Sequence, residues 1–121
     1  MTFDPAERAR DYLETVDAMD YEAIEAFLDE GATYVSNGVG SLSGRAEIME
    51  AIRGYFETYP DQTSVTKGIE TLTPLSARVV WSVRATNSKT GKPLVREGEE
   101  TITFNRAGKI VSVDVTDYKT F

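Results

Sequence analysis

Neither cysteine nor histidine occurs in the 121 residues. The first absence removes disulfide frameworks, thiol nucleophiles and thiolate metal sites together, and it fits a reducing compartment. The second removes histidine triads, histidine metal sites and imidazole proton shuttles. Acid–base chemistry here must therefore use Asp, Glu, Tyr, Lys or bound water. Positive charge is scarce too: 13 Lys and Arg stand against 20 Asp and Glu, for a formal charge of −7. A phosphate backbone is held by clustered cations, so neither nucleic acid nor an anionic membrane is an expected partner. No apolar run approaches membrane-spanning length, and Met1-Thr2-Phe3-Asp4-Pro5 lacks a basic segment leading into an apolar one. The expectation is a soluble, cytoplasmic protein. No Asp-rich loop has the ligand spacing of a calcium or magnesium site, and no cofactor is implied.

What is present suits one domain over residues 1–121, with 40% hydrophobic content to build a core. Asp4-Pro5-Ala6-Glu7 carries the signals of a helix start, a capping acid followed by proline and then Glu. Ala9, Tyr12, Leu13 and Val16 follow at spacings of three and four. Tyr12 has two readings, a core tyrosine or a phenol facing a cavity. Asp20 caps a second predicted helix with Ile24, Phe27 and Leu28 on its stripe, ending near Gly31. A short strand, Ala32 to Ser36, leads into the glycine-containing loop 37–44. That loop imitates a dinucleotide fingerprint poorly, because its last glycine is one position late and no alternating strand–helix units follow. Ser43 is a candidate cap for a third helix bearing Ile48, Met49, Ile52, Tyr55, Phe56 and Tyr59, stopped by Pro60. Four strands are predicted after it, over 63–73, 78–88, 94–105 and 109–118.

The hairpin from Ala77 to Phe104 organises the chain. A two-residue turn at Thr90-Gly91 pairs Lys89 with Lys92, which sets Arg84 opposite Glu97, Val83 opposite Gly98 and Trp81 opposite Glu100. A carboxyl beside an indole loses solvation of its charged form, so its pKa rises and it can donate a hydrogen bond. The competing reading leaves Glu100 hydrated at an open end of the sheet. On the last strand Asp117 continues the row of Val111, Val113 and Val115, either as a fraying end or as a second carboxylate facing the same cavity.

Tyr12-Leu13-Glu14-x-Val16-Asp17, Asp20-x-Glu22-Ala23-Ile24, Ala32-Thr33, Ser43-Gly44-Arg45-x-x-Ile48 and Gly108-Lys109-Ile110 span nearly the whole chain. With three amino-terminal helices followed by a strand meander, the sequence resembles the nuclear transport factor 2 (NTF2) superfamily, in its SnoaL-like and steroid Δ-isomerase-like branch. The resemblance implies an α+β fold, the NTF2-like cone, with three N-terminal helices on a curved, mostly antiparallel sheet enclosing a conical apolar pocket. Homodimerisation is expected from the family. Steroid isomerases combine two hydrogen-bond donors with a carboxylate base. By resemblance the donor tyrosine falls on Tyr12, and the protonated acid on Glu100, where the family has Asp. The base position falls on Ser36, or on Asn37 if the loop is aligned from its other side. Neither can accept a proton from a carbon acid near neutral pH.

These readings lead to a pocket for a small apolar molecule bearing a carbonyl or hydroxyl, with Tyr12 and Glu100 donating to its oxygen. Trp81, Val83, Phe56 and Val113 are the expected apolar walls, and Tyr55 and Tyr59 bring further hydroxyls. Gly98 leaves room for Arg96 to reach an acidic group of the ligand, or to pair with Glu100 and keep it ionised. If the protein is an enzyme, isomerisation, cyclisation or dehydration is implied, with Asp117 or ionised Glu100 as base. The alternative is a non-catalytic ligand-binding or dimerisation module.

Overall fold

The computed structural model describes residues 3–36 and 40–120. Its helices are α1 (Pro5–Asp17), α2 (Tyr21–Phe27) and α3 (Arg45–Thr58). Its strands are β1 (Leu28–Ser36), β2 (Gly40–Ser43), β3 (Thr63–Thr73), β4 (Ser76–Thr86), β5 (Pro93–Phe104) and β6 (Ile110–Thr120). They form one sheet in the order β2-β1-β6-β5-β4-β3, with β1 parallel to β6 and every other neighbouring pair antiparallel. This is the expected α+β architecture of three helices on a curved, mostly antiparallel sheet, and the sheet is open. No helix of the described residues is long and apolar enough to cross a membrane.

Local chemistry explains the helix starts. The Asp4 carboxylate accepts from the backbone N–H of Ala6 and Glu7 at 3.1 and 3.2 Å, ahead of Pro5 in the first turn. Asp20 caps α2 through Ala23 N at 3.2 Å. Two boundaries differ from the sequence expectation. Helix α2 stops at Phe27, and Leu28, predicted as helical, enters β1 and pairs with Ile110 while fully buried. A helix this short gains little by extending, whereas pairing and burial of Leu28 stabilise the strand. Gly31 consequently lies inside β1 and ends no helix. The expected loop contains β2, and Gly44 N donates to Ala32 O at 2.8 Å, extending the ladder through Ser43. Ser43 is therefore a strand residue and not the cap of α3. Gly44 takes that place with φ of 94° and no side-chain cap, a backbone conformation suited to glycine.

The central hairpin also corrects the predicted turn. Asn87 N donates to Lys92 O at 2.9 Å, and the Asn87 side chain accepts from the N–H of Lys89 and Thr90. This self-capped loop starts two residues early, with Gly91 at φ of 73°. Every partner moves by two: Trp81 faces Gly98, Val79 faces Glu100, Ser82 faces Glu97 and Arg84 faces Val95. A shift of two preserves the faces, so the pattern of buried residues survives although the pairs do not. On the outer face, Lys67 pairs with Glu97 at 3.1 Å, and Arg78 bridges Glu70 and Glu99 at 3.1 and 3.3 Å.

The inner face of β4 and β5 is buried from Ala77 to Ala85 and at Gly98, Ile102 and Phe104. Phe3 packs edge-on against Phe104, with ring centroids 5.5 Å apart. Ile102, Phe104 and Ile110 are buried at this end of the cone, and the polar side chains earlier on β5, Arg96 and Glu100, face a cavity toward the other end.

Candidate active site

A cavity of about 190 Å³ lies between the inner sheet face and helices α1 and α3. Helix α1 supplies Tyr12, at 5% exposure, together with Leu13 and Val16. The stripe that buries Ala9 carries Tyr12 to the cavity one turn later. Helix α3 contributes Tyr55 and Phe56, and the sheet contributes Tyr34, Ser36, Trp81, Val83, Arg96 and Glu100. Tyr12 and Glu100, predicted from separate parts of the chain, thus line one cavity.

Glu100 is the only carboxylic acid projecting from the β5 part of the cavity wall, flanked across the sheet by Val79 and Val115. Burial pushes its pKa up, and the Arg96 charge pulls the other way without cancelling the effect, leaving it at about 7. The Trp81 contact expected to raise it is replaced by Val79 and Val115, and desolvation has the same sign with either neighbour. The Tyr12 phenol is raised well above its ordinary value by burial, reinforced by Glu100 and Tyr34. It therefore stays protonated and able to donate.

Arg96 does not extend along β5 to Glu100. Its Nη2 donates to Asp117 Oδ1 at 2.7 Å, and its guanidinium lies 5.3 Å from the centre of the Trp81 ring. Burial opposes the Arg96 cation, but Asp117, Tyr55 and Tyr34 more than offset this and hold its pKa above the usual value. Burial raises the Tyr55 phenol, and the Arg96 charge draws it partly back. The space at Gly98 is not open to Arg96: an added Cβ would lie 2.5 Å from Thr116 O and 3.0 Å from Trp81 Cζ2.

Several expected positions lie elsewhere. Asp117 is turned to Arg96 and is not part of the cavity wall. Val113 is buried in the core, and Val115, two residues on, lines the cavity. Tyr59 follows α3 and leans on Tyr55, with centroids 5.1 Å apart, outside the lining. Ser36 is buried at 3% exposure and does line the cavity. It pairs with Val115, as Glu100 does from the other side, so two strand spacings, about 10 Å, separate Ser36 from Glu100. Asn37 lies outside the described residues.

Sequence reasoning missed Tyr34. Burial raises its phenol strongly, with Glu100 adding to the rise and Arg96 opposing it, so its hydroxyl shares the field of both. The signal was available, because Tyr34 precedes Ser36 by two residues on a strand and must share its face. Among the described residues no group of three or more acidic side chains could hold a metal ion. The arrangement offers phenol donors and the Glu100 carboxyl around a largely apolar space, with Asp17, which accepts from the Ser64 hydroxyl, on the α1 side of the wall.

Comparison with known proteins agrees with this architecture. A solved structure of the epoxide hydrolase/cyclase-like enzyme SalBIII, described in pyran ring formation in the polyether salinomycin, matches with a TM-score of 0.81 at 22% identity, over 92% of this chain and 88% of that one. Rv0760c from Mycobacterium tuberculosis, solved with estradiol-17β-hemisuccinate, matches with a TM-score of 0.79 at 16% identity, over 97% and 95%. A putative polyketide cyclase from Xanthomonas campestris pv. campestris gives 0.74 at 19% identity, over 93% and 91%. No curated protein matches. The SnoaL-like domain model matches residues 9–113, and the chain belongs to that family, within the NTF2-like superfamily.

Proposed function

We propose that this protein binds a small, largely apolar molecule by its carbonyl or enol oxygen and moves a proton on it, as a cofactor-independent isomerase, cyclase or dehydratase. The observation that carries this reading is Glu100, a carboxyl in an apolar cavity beside the Tyr12 phenol, with a pKa of about 7. A group so placed exchanges protons readily at neutral pH. Ionised Glu100 takes a proton from the carbon next to the carbonyl, and the electron pair moves onto the oxygen as an enolate. Tyr12 donates to that oxygen and stabilises the developing charge. Protonated Glu100 then returns the proton to another carbon of the enolate, which completes an isomerisation. Asp117 is held by Arg96, which leaves Glu100 the better placed of the two expected base candidates.

The cavity volume of about 190 Å³ somewhat exceeds the roughly 150 Å³ apolar cavity known to accept benzene. The enclosed part therefore suits one substituted ring. Cyclase-like relatives support the reaction class. Exposed Val35, Val65 and Tyr118 on the sheet face away from the cavity are consistent with the homodimer expected from the family. The alternative, a non-catalytic binding module, is favoured by the resemblance itself: the base position of the steroid isomerases falls on Ser36 or on Asn37, and neither is a carboxylate.

Binding of p-nitrophenol, an enolate mimic of suitable size, tests the site across pH 5 to 9. Tyr12→Phe is expected to weaken binding about 10-fold or more, since a hydrogen bond to a charged oxygen contributes roughly 1.5–3 kcal/mol. Because p-nitrophenol ionises in the same range, Glu100→Gln is expected to leave only the inflection of the ligand's own ionisation. Three indistinguishable proteins would refute the proposed oxygen site. Deuterium exchange at the α-carbon of a small cyclic enone then separates catalysis from binding alone.

A further inference from the structure

Arg96 and Glu100 share the inner face of β5 with only Gly98 between them on that row. Gly98 puts no side chain of its own between them, although Trp81 Cζ2 and Thr116 O crowd the place of its missing Cβ. Arg96 and Glu100 line the same cavity, through which an arginine at this spacing is long enough to approach a glutamate. Among the described residues the ion pair is nevertheless absent. The guanidinium is drawn sideways to β6, bonded to Asp117 and laid over Trp81. We propose that Asp117 is a positioning residue that anchors Arg96 against β6 and so keeps it from closing an ion pair with Glu100.

This inference rests on the reading of Glu100 as the proton-exchanging group, and it gives Asp117 a task other than that of base. The groups around Glu100 are consistent with it. Helix α1 presents the Tyr12 phenol, β1 presents Tyr34 and Ser36, and α3 presents Tyr55 beyond Arg96. The β4 and β6 neighbours in the ladder, Val79 and Val115, carry no charge. Asp17, further along α1, is hydrogen-bonded to Ser64. Arg96 is thus the cation that acts on Glu100, and its anchor decides how strongly. A released guanidinium would lower the Glu100 pKa further and leave a carboxylate too weakly basic to take the proton that the reaction moves.

Carbon-13 NMR of the Glu100 carboxyl reads this without ligand or turnover. Asp117→Ala, which removes the anchor, is expected to lower the Glu100 titration midpoint by about one unit or more, the effect of an opposite charge brought within a few ångströms. Asp117→Asn keeps an acceptor of the same shape, and a smaller fall is expected. Arg96→Met combined with Asp117→Ala removes both charges, and its midpoint is expected at or above the native one. An unmoved midpoint in Asp117→Ala would overturn the proposal, as would equal shifts in the Ala and Asn variants, which would point to the charge alone. If the midpoint falls as expected while p-nitrophenol affinity ignores it, the positioning role stands and the proposed ligand chemistry fails.

Discussion

Gly98 shows how much one missing side chain decides. It faces Trp81 across the β4–β5 ladder and Asp117 across β5–β6, and a register shift falls beside it at Glu97. An added Cβ would sit 2.5 Å from the Thr116 carbonyl oxygen, a backbone atom that cannot move without moving β6. It would also meet Trp81 Cζ2 at 3.0 Å, the ring against which Arg96 lies. Gly98→Ala is therefore expected to cost about 1–3 kcal/mol through overpacking, read as a lower urea midpoint with an altered Trp81 emission spectrum. A variant with native stability would show that β6 yields at this point. From the sequence the glycine suggested open space, because spacing indicates which face a residue shares and not which neighbour fills the gap. The same limit explains Tyr34. Its face followed from Ser36 by alternation, but its nearness to Glu100 depends on the parallel pairing of β1 with β6.

At the level of elements, α1 carries Tyr12 to the cavity and is fixed at its start by local chemistry. Asp4 caps the first turn, and Arg8 Nε donates to Gly108 O at 3.0 Å, tying the helix to the β5–β6 turn. Asp4→Ala is expected to lower stability by about 1 kcal/mol, the usual cost of a lost cap, in thermal or urea unfolding. Because Arg8 and the packing of Ala9 still hold the helix, p-nitrophenol affinity should stay native. A large loss of affinity would show that the cap also governs the position of Tyr12. The Asp4 and Asp20 caps were legible beforehand, unlike the expected Ser43 cap that β2 displaced, and so were the four long strands, because each depends on signals within a few residues. The α2–β1 boundary, β2 and the hairpin register were not. Leu28 leaves its helix for a partner more than eighty residues away, β2 forms only against β1, and Asn87 captures the loop with its own side chain. The register error left the inward and outward faces intact, so the faces of the hairpin were read correctly through a wrong pairing.

For the whole molecule, a carboxyl suited to proton exchange also lowers stability at neutral pH and above. Glu100 moves from an ordinary 4.5 to about 7 in the folded chain, so the native state binds its proton more tightly than the unfolded one. Its contribution is fully present below pH 4.5 and is lost as pH rises through 7. At about 1.4 kcal/mol per unit, the difference across that window is on the order of 3 kcal/mol. The Asp61 carboxylate is shifted the other way, chiefly by accepting the Thr86 backbone N–H at 2.8 Å. Its contribution is present above its ordinary 3.8 and is lost only as pH falls below that value, so the two effects occupy separate ranges. Glu100→Gln removes the partly desolvated charge and keeps the shape. Urea unfolding should find this variant more stable than the native protein at pH 8, by up to about 3 kcal/mol, with the gap closing by pH 4.5. A pH-independent gap would mean that Glu100 titrates normally in the fold. The carboxyl would then be hydrated, and the case for proton transfer at this site would fall with it.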